Sequence, residues 1–230
     1  MARIEGVAGT TDSRTALTVR RVIAYVVLIL LVIISLLPFY LLIINATRGK
    51  VQTGLQFYPG KALGGNFKTL LSENYKQTYG DFFRSFANSL IIAAFTTVLS
   101  VYFFMIQYMA SSLPLEIVEA ARIDGCGEFK TFNTIVTPIL KPAFAVQGIF
   151  TFVSSWNNLF MPQMIIDTAE KKTIPLILQI MRANIQSNPM AANAGVMNLF
   201  MVLAILPVVV IYLILSKNII SGIALGSVKG

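Results

Sequence analysis

The stretch EIVEAARIDGCGEFKTFNTIVTPILKPA, residues 116–143, interrupts a chain that is otherwise mostly apolar. Within it, Glu116 and Glu119 precede Arg122, so acidic side chains lie near the start of a predicted short helix and a basic one near its end, as the helix dipole favours. Gly125 then fits the left-handed position at which many helices terminate. The stretch therefore predicts a short, polar, self-capped helix followed by a turn.

Small side chains are concentrated in this helix and in the turn after it. The helix can start at Pro114 because proline is tolerated in a first turn; it carries Ala120 and Ala121, and Cys126 and Gly127 follow its end. Such residues allow the surface of a partner to approach the backbone closely. Composition alone leaves the alternative that the stretch is a plain connector between two helices.

The remainder of the chain contains four long segments without Asp, Glu, Lys or Arg: residues 22–44, 88–115, 142–166 and 194–216. The first would be about 35 Å long as a helix, against about 30 Å for the hydrocarbon core of a bilayer. Of 230 residues, 56% are hydrophobic and 12% charged, and four such helices in a soluble protein would leave no polar faces for water. The predicted fold is all-α, a polytopic helical membrane protein.

Composition also narrows the function. The net charge of +8 is typical of basic residues that flank membrane spans, so no nucleic-acid partner is predicted. The chain has no histidine, and the spans have no acidic residue, which disfavours an intramembrane hydrolase and a proton-driven carrier. We predict no catalytic residue, no metal site, no bound cofactor and no enzymatic activity. Because a phosphate-binding loop is also missing from the sequence, energy for uphill transport would have to come from a partner.

The spacing of the opening stretch matches a known pattern. It reads EAA at residues 119–121, glycine at position 125 and IVTP at residues 135–138. This resembles the EAA loop of ABC-importer permease subunits, which reads E-A-A, three residues, G, nine residues, I, one residue, L-P. Thr137 stands where leucine is usual. Six fixed positions in register make the pattern specific.

The resemblance implies that a loop over residues 113–141 is cytoplasmic and forms the coupling helix that docks on the ATPase subunit. The residues that it assigns to coupling are Glu116, Glu119, Ala120, Ala121, Arg122, Asp124 and Gly125.

Four further segments resemble the carbohydrate-importer branch of these permeases, with its MalG-like subunits. They are LLPFYLLIINATR (36–48), RSFANSLIIAAFTTVLS (84–100), FTFVSSWNNLFMPQ (150–163) and SGIALGSVKG (221–230). The resemblance implies a type I importer permease for a carbohydrate, specifically an oligosaccharide, in the lipid bilayer of a bacterial inner membrane. The implied partners are a second permease subunit, two ATP-binding subunits that carry the ATP, and an extracytoplasmic solute-binding protein.

The resemblance also supplies the topology. Lys and Arg number nine on each side of the membrane, so the positive-inside rule does not decide the orientation. With the loop cytoplasmic, residues 1–21 form a cytoplasmic tail, residues 22–216 the transmembrane permease domain, and residues 217–230 a second cytoplasmic tail.

One segment departs from the family. The residues TTVLSVYFFMIQYMASSLPLEIVEAA (96–121) lead from the second span to the EAA pattern through a single apolar segment. In the family, which has six spans, a further helical pair lies between these two points. We expect an omission near Val101 to Met105, visible as a break in the chain. The alternative is a natural four-span variant.

The polar cluster SSWNN (154–158) lies within the third apolar segment. Trp156, Asn157 and Asn158 are candidates for the substrate path, since an indole offers a flat face to sugar C–H groups and amides bond to hydroxyls. The alternative is that they join helices through interhelical hydrogen bonds, which for Asn158 is the favoured interpretation.

Two other functions remain open from the sequence: a permease for another ABC substrate class, such as polyamine or phosphate, and a membrane scaffold without transport activity. Anionic substrates would favour Arg or Lys along the path, and the spans contain neither.

Overall fold

The computed structural model describes residues 10–49, 56–112, 115–188 and 193–226, and this part of the chain is helical and contains no strand. In chain order its helices are α1 Thr10–Ala46, α2 Leu63–Leu70, α3 Glu73–Tyr79, α4 Phe82–Ser112, α5 Leu115–Ile123, α6 Glu128–Thr131, a π-helical segment Phe132–Val136, α7 Thr137–Trp156, α8 Phe160–Ile165, a 3₁₀ turn Ala169–Lys171, α9 Ile174–Ser187 and α10 Ala194–Gly226.

Four helical segments of the described residues are long and apolar enough to cross a membrane. They are Ala16–Ala46, Phe82–Gln107, Glu128–Ile165 and Ala194–Ser216. The predicted all-α, polytopic architecture with four spans is confirmed. The third segment starts earlier than predicted because α6 and the π-helical segment run directly into α7.

The segment in which we expected a break is an unbroken helix. α4 extends from Phe82 to Ser112, so the predicted break between Val101 and Met105 is wrong; the four-span variant stays the alternative to an omitted helical pair. The physical reason is that residues 101–107 contain no glycine or proline that would end a helix. Pro114, the predicted start of the coupling helix, lies outside the described residues, and α5 begins at Leu115.

α7 is the central span. It packs between α4 and α10, and α1 packs on α10. The face that α7 buries includes Gly148, Phe152 and Trp156, spaced as one side of a helix requires. Residues 16–40 of α1 are exposed in the isolated chain, as is normal for side chains that meet lipid or another subunit.

The short helices α2, α3 and α9, together with the 3₁₀ turn, lie at one end of the spans, and we call them the cap. α5 lies at the opposite end, because α4 runs from the cap to the α5 loop and α7 runs back. α10 continues past residue 216 as far as Gly226, and the domain boundaries at residues 21 and 216 stay predictions.

A buried polar side chain fastens the cap to the end of α1. Asn66 donates through Nδ2 to the carbonyl oxygens of Ala46 (2.8 Å) and Arg48 (2.6 Å), which satisfies backbone groups just at and past the end of α1. Gly195 lies against the same place: a Cβ there would be 2.0 Å from the Arg48 carbonyl oxygen. The crossing of α1 and α10 therefore depends on a residue without a side chain.

A second set of bonds fastens the cap to the start of α4. Asn88 donates to the carbonyl oxygens of Glu170 (2.9 Å) and Lys172 (3.2 Å). Ser89 Oγ accepts from the amide of Ile174 (2.8 Å), and Arg84 pairs with Glu170 at 3.0 Å. These bonds hold the connection between α8 and α9 against α4 and thereby shape the cleft described below.

Candidate functional site

α5 ends in the helix-terminating turn that the sequence predicts. The Gly125 amide donates to the Arg122 carbonyl (3.0 Å) and the Cys126 amide donates to the Ala121 carbonyl (2.9 Å). This pair of bonds is the Schellman motif, which satisfies the last carbonyls of a helix. Gly125 has φ +76°, the left-handed conformation that favours glycine. The predicted self-capped helix is confirmed.

The residues assigned to coupling lie on this compact helix and turn. Glu116, Glu119, Ala120, Arg122, Asp124 and Gly125 are exposed, whereas Ala121 is buried. A partner could therefore reach the backbone at Ala120 and Gly125 but not at Ala121. Arg122 pairs with Glu128 at the start of α6, at 3.2 Å. The coupling role of these residues stays a prediction.

A mostly apolar cleft that contains a few polar side chains lies at the opposite end of the spans, between α4 and the α7–α8 junction. It has a volume of about 260 Å³, and we call it the cap cleft. It is lined by Ser89, Ile92, Ser155, Trp156, Asn158, Met161, Pro162, Ile165, Ile166 and Thr173.

Thr173, one of the residues that line the cleft, has an unsatisfied polar atom. The residue is buried, and within the described part of the chain its Oγ1 has no hydrogen-bond partner. A buried hydroxyl without a partner costs free energy, so a water molecule or a ligand hydroxyl at this point would be stabilising. The hydroxyl of Ser89, close by in the same lining, is already used as an acceptor by Ile174.

Trp156 is part of the wall of the cleft but is mostly enclosed by helices. It is 3% exposed, and its Nε1 donates to the Ala204 carbonyl of α10 (3.1 Å). The centroid of its ring lies 5.6 Å from the ring centroid of Phe86 and 5.8 Å from that of Phe152. These contacts are those of a packing residue that joins α4, α7 and α10. A role for its indole in the substrate path stays a prediction.

The two asparagines are exposed and differ in position. Asn158 lines the cap cleft and its Oδ1 accepts from the amide of Met161 (3.3 Å). Asn157 is not among the cleft residues, and its Nδ2 donates to the Val153 carbonyl one turn earlier (2.9 Å). The structure thus brings Trp156 and Asn158 to one cleft and leaves Asn157 beside it; their contact with substrate stays a prediction.

Sequence reasoning missed Ser89 and Thr173 as cleft residues. They are separated by more than eighty positions, and the bond from Ile174 to Ser89 that brings them together has no local signature in the sequence. Among the described residues, no group of three or more His, Cys, Asp or Glu is placed to hold a metal ion.

Residues 13–224 match the family model "Binding-protein-dependent transport system inner membrane component". The chain belongs to this family, whose members are membrane transport components rather than enzymes. The fold agrees: a solved structure titled as a bacterial ABC transporter involved in the import of the acidic polysaccharide alginate matches with a TM-score of 0.56 at 16% identity, over 93% of this chain and 99% of that chain.

Among individual relatives, the arabinooligosaccharides transport system permease protein AraQ of Bacillus subtilis (strain 168) is 35% identical over 156 residues, which are 68% of this chain and 53% of that protein. The maltodextrin transport system permease protein MdxG of the same organism is 35% identical over 52% of this chain and 41% of its own length. The melibiose/raffinose/stachyose import permease protein MelC, also from that organism, is 37% identical over 54% and 43%. The chain spans about half the length of the curated relatives it matches.

Proposed function

We propose that this chain is a transmembrane permease subunit of an ATP-driven importer for carbohydrate, with oligosaccharides as the substrate class. The proposal is supported by the names of the relatives, which state transport or import of arabinooligosaccharides, maltodextrin and melibiose, raffinose or stachyose. The cap cleft suits a neutral ligand that presents both hydroxyl and apolar C–H groups, because its lining contains hydroxyl and amide side chains, no charged one, and six apolar residues.

One observation carries the coupling part of the proposal: α5 ends in a Schellman motif at Gly125 (φ +76°), in the register of the permease loop pattern. We infer that α5 docks on an ATP-binding subunit, which binds the ATP. The complete transporter would contain two such subunits, a second permease subunit and an extracytoplasmic solute-binding protein. The loop and both termini would be cytoplasmic, and the cap would face the binding protein.

The connections of α5 suit it to transmit motion. Its C-terminal turn leads into α6, which continues through the π-helical segment into α7 as far as Trp156. A displacement of α5 by the ATPase would therefore act on one continuous rod that ends at the cap cleft. Alternating access would follow if this rod tilts against α4 and α10.

A matched pair of glycines tests the coupling. A Cβ added at Gly125 or at Gly127 would meet no atom within 4 Å, but only Gly125 has positive φ; Gly127 has φ −68°. Gly125→Leu should strain the Schellman motif at the end of α5 by about 1 kcal/mol. It should also place a side chain on the predicted docking surface. We expect it to abolish both co-purification of the ATPase and ATP-dependent uptake of maltotriose or raffinose in vesicles, with insertion unchanged.

Gly127→Leu is the control for bulk in the same turn without backbone strain, and its effect should be clearly smaller. If Gly125→Leu retains ATPase binding and uptake at the level of the unmodified protein, α5 is only a connector. If the unmodified protein binds the ATPase and the vesicles take up another class of solute instead, the carbohydrate assignment fails while the coupling stands. A scaffold would bind partners without any uptake.

A further inference from the structure

Three polar side chains meet within the spans, at the contact of α4 with α7. Gln147 Nε2 donates to Ser100 Oγ (3.0 Å) and to Thr151 Oγ1 (3.2 Å), and the two hydroxyl oxygens are 3.1 Å apart. We call these three residues the seam cluster. All three are half-buried, so the cluster lies at the edge of the helix contact, where another molecule can reach it.

The cluster has hydrogen-bonding capacity left over. Only one of the two hydroxyl protons can lie between Ser100 and Thr151, so the other is available to an acceptor. Gln147 Oε1 accepts no hydrogen bond from the described residues. The cluster therefore offers a donor and an acceptor side by side, without charge, which is the combination that a hydroxyl group requires.

The cluster and the cap cleft share one polar seam. On α7, Gln147, Thr151 and Ser155 follow at intervals of four residues, which places them on one stripe of the helix. On α4, Ser89 and Ser100 are eleven residues apart, about three turns, and so face the same way. Ser89 and Ser155 line the cap cleft. The seam thus leads from the cleft to the cluster over roughly 16 Å, at 1.5 Å per residue.

Contact with lipid hydrocarbon would be unfavourable for the polar side chains of this seam. An amide with a free oxygen is costly in hydrocarbon, and polar side chains within spans face protein, water or a cavity. By contrast Ile214, on α10, is exposed and apolar. It lies at a similar depth, because its neighbour Leu215 has Cδ1 3.9 Å from the position of a Cβ on Gly148. The polar seam and the apolar surface of α10 therefore face different surroundings.

We propose that the seam cluster is a second binding site for the hydroxyl groups of a neutral carbohydrate, farther along the path that begins at the cap cleft. This inference rests on the proposed function and adds a site and three ligand-binding residues to it. The substrate would exchange hydrogen bonds with water for bonds to Gln147 Oε1 and to one hydroxyl of Ser100 or Thr151. Weak, uncharged binding of this kind suits a site that a substrate must leave as readily as it enters.

Cysteine labelling tests whether the site is open to water, independently of transport. In a Cys126→Ser background, which removes the single native thiol, Gln147→Cys is compared with Ile214→Cys in vesicles that contain the assembled transporter. The probe is a membrane-impermeant methanethiosulfonate. We expect Cys at position 147 to react, at a rate that maltotriose or raffinose lowers, and Cys at position 214 to stay unreacted.

A near-isosteric variant tests the ligand role without creating a cysteine. Thr151→Val removes one hydroxyl and should raise the KM for uptake about 2- to 10-fold, the range of one neutral hydrogen bond, with the same yield of assembled transporter. Gly148→Ala is the control at a nearby position, because its Cβ would lie 3.9 to 4.0 Å from its nearest neighbours, side-chain atoms of Leu215, Val101 and Thr97, an ordinary contact distance. Its KM should not change.

The outcomes separate this site from the proposed function. If the vesicles take up oligosaccharide but position 147 is unreactive, or reacts at a rate that sugar does not change, the seam cluster is a helix contact and the inference fails. If Thr151→Val fails to assemble into the transporter, the seam cluster is likewise a helix contact and the inference fails. If the unmodified protein takes up no oligosaccharide, the proposed function fails first, and with it the carbohydrate site.

Discussion

The two ends of the spans are held together in different ways. At the cap, side chains bond to backbone groups far away in sequence: Asn66 to Arg48 over 18 residues, and Asn88 to Glu170 over 82. At the opposite end, α5 is closed by backbone bonds within residues 120–126 and by one exposed ion pair, Arg122 with Glu128.

This difference indicates different mechanical roles. Long-range bonds, among them those of the buried Asn66 and Ser89, fix the cap as part of one body, since moving α2 or α9 would leave buried polar groups without partners. Local bonds preserve the shape of α5 but do not fix its position. The cap is thus built to keep the cleft in place, while α5 is built to move as a rigid unit against a partner.

The largest expected effect is at the packing centre below the cap. Trp156→Ala removes a side chain enclosed by Phe86, Phe152 and α10, and we expect a loss of about 3–5 kcal/mol in the free energy of unfolding. Trp156→Phe keeps most of the ring packing and loses one interhelical hydrogen bond, worth about 0.6 kcal/mol. Thermal unfolding in detergent measures both.

The same pair of variants separates packing from substrate contact. If Trp156 is a packing residue, Trp156→Phe should transport normally with a slightly lower Tm. Impaired uptake by Trp156→Phe at an unchanged Tm would instead place the indole in the substrate path.

The next effect tests whether the cap is one body with α1. In Gly195→Ala the new methyl would overlap the Arg48 carbonyl oxygen at 2.0 Å and Asn66 Nδ2 at 2.6 Å. We expect α1 to separate from α10 and the Asn66 bonds to break, at a cost of about 1–3 kcal/mol, as for other overpacked sites. The control is Gly64→Ala on α2, where a Cβ meets nothing within 4 Å. Equal Tm values for the two variants would show that the contact between α1 and α10 accommodates the added methyl group without loss of stability.

Much of the spanning architecture could be predicted because it depends on local properties. Four uncharged segments are a direct signal of membrane helices, and Gly125 followed by small residues is a direct signal of a helix cap. The predicted break was wrong for a related reason: the six-span pattern implied by the family resemblance suggested it, whereas the local sequence of residues 101–107 continues a helix.

The cap and the seam could not be predicted because they depend on distant contacts. α2, α3 and α9 are short helices that lie between the predicted spans, and tertiary bonds such as those of Asn66 hold them. Gln147 gave a weak signal, because it is one of four amide side chains in the apolar segment 142–166. Its spacing from Thr151 and Ser155 was visible in the sequence, but only the packing of α7 on α4 brings Ser100 to it.

The smallest effect on the fold, and the sharpest test of the α5 end, comes from breaking its ion pair from either side. Arg122 and Glu128 have side chains 63% and 89% exposed, and such pairs contribute about 0–1 kcal/mol, so Arg122→Gln and Glu128→Gln should both leave the Tm unchanged. They differ in one respect, since only Arg122 belongs to the predicted coupling surface. We expect Arg122→Gln to lower the affinity for the ATPase and the rate of uptake, and Glu128→Gln, which removes the same ion pair, to leave both nearly unchanged. Equal uptake by the two variants would mean that α5 contributes its backbone and not its charge to the docking surface, and Arg122 would then have to be removed from the coupling set.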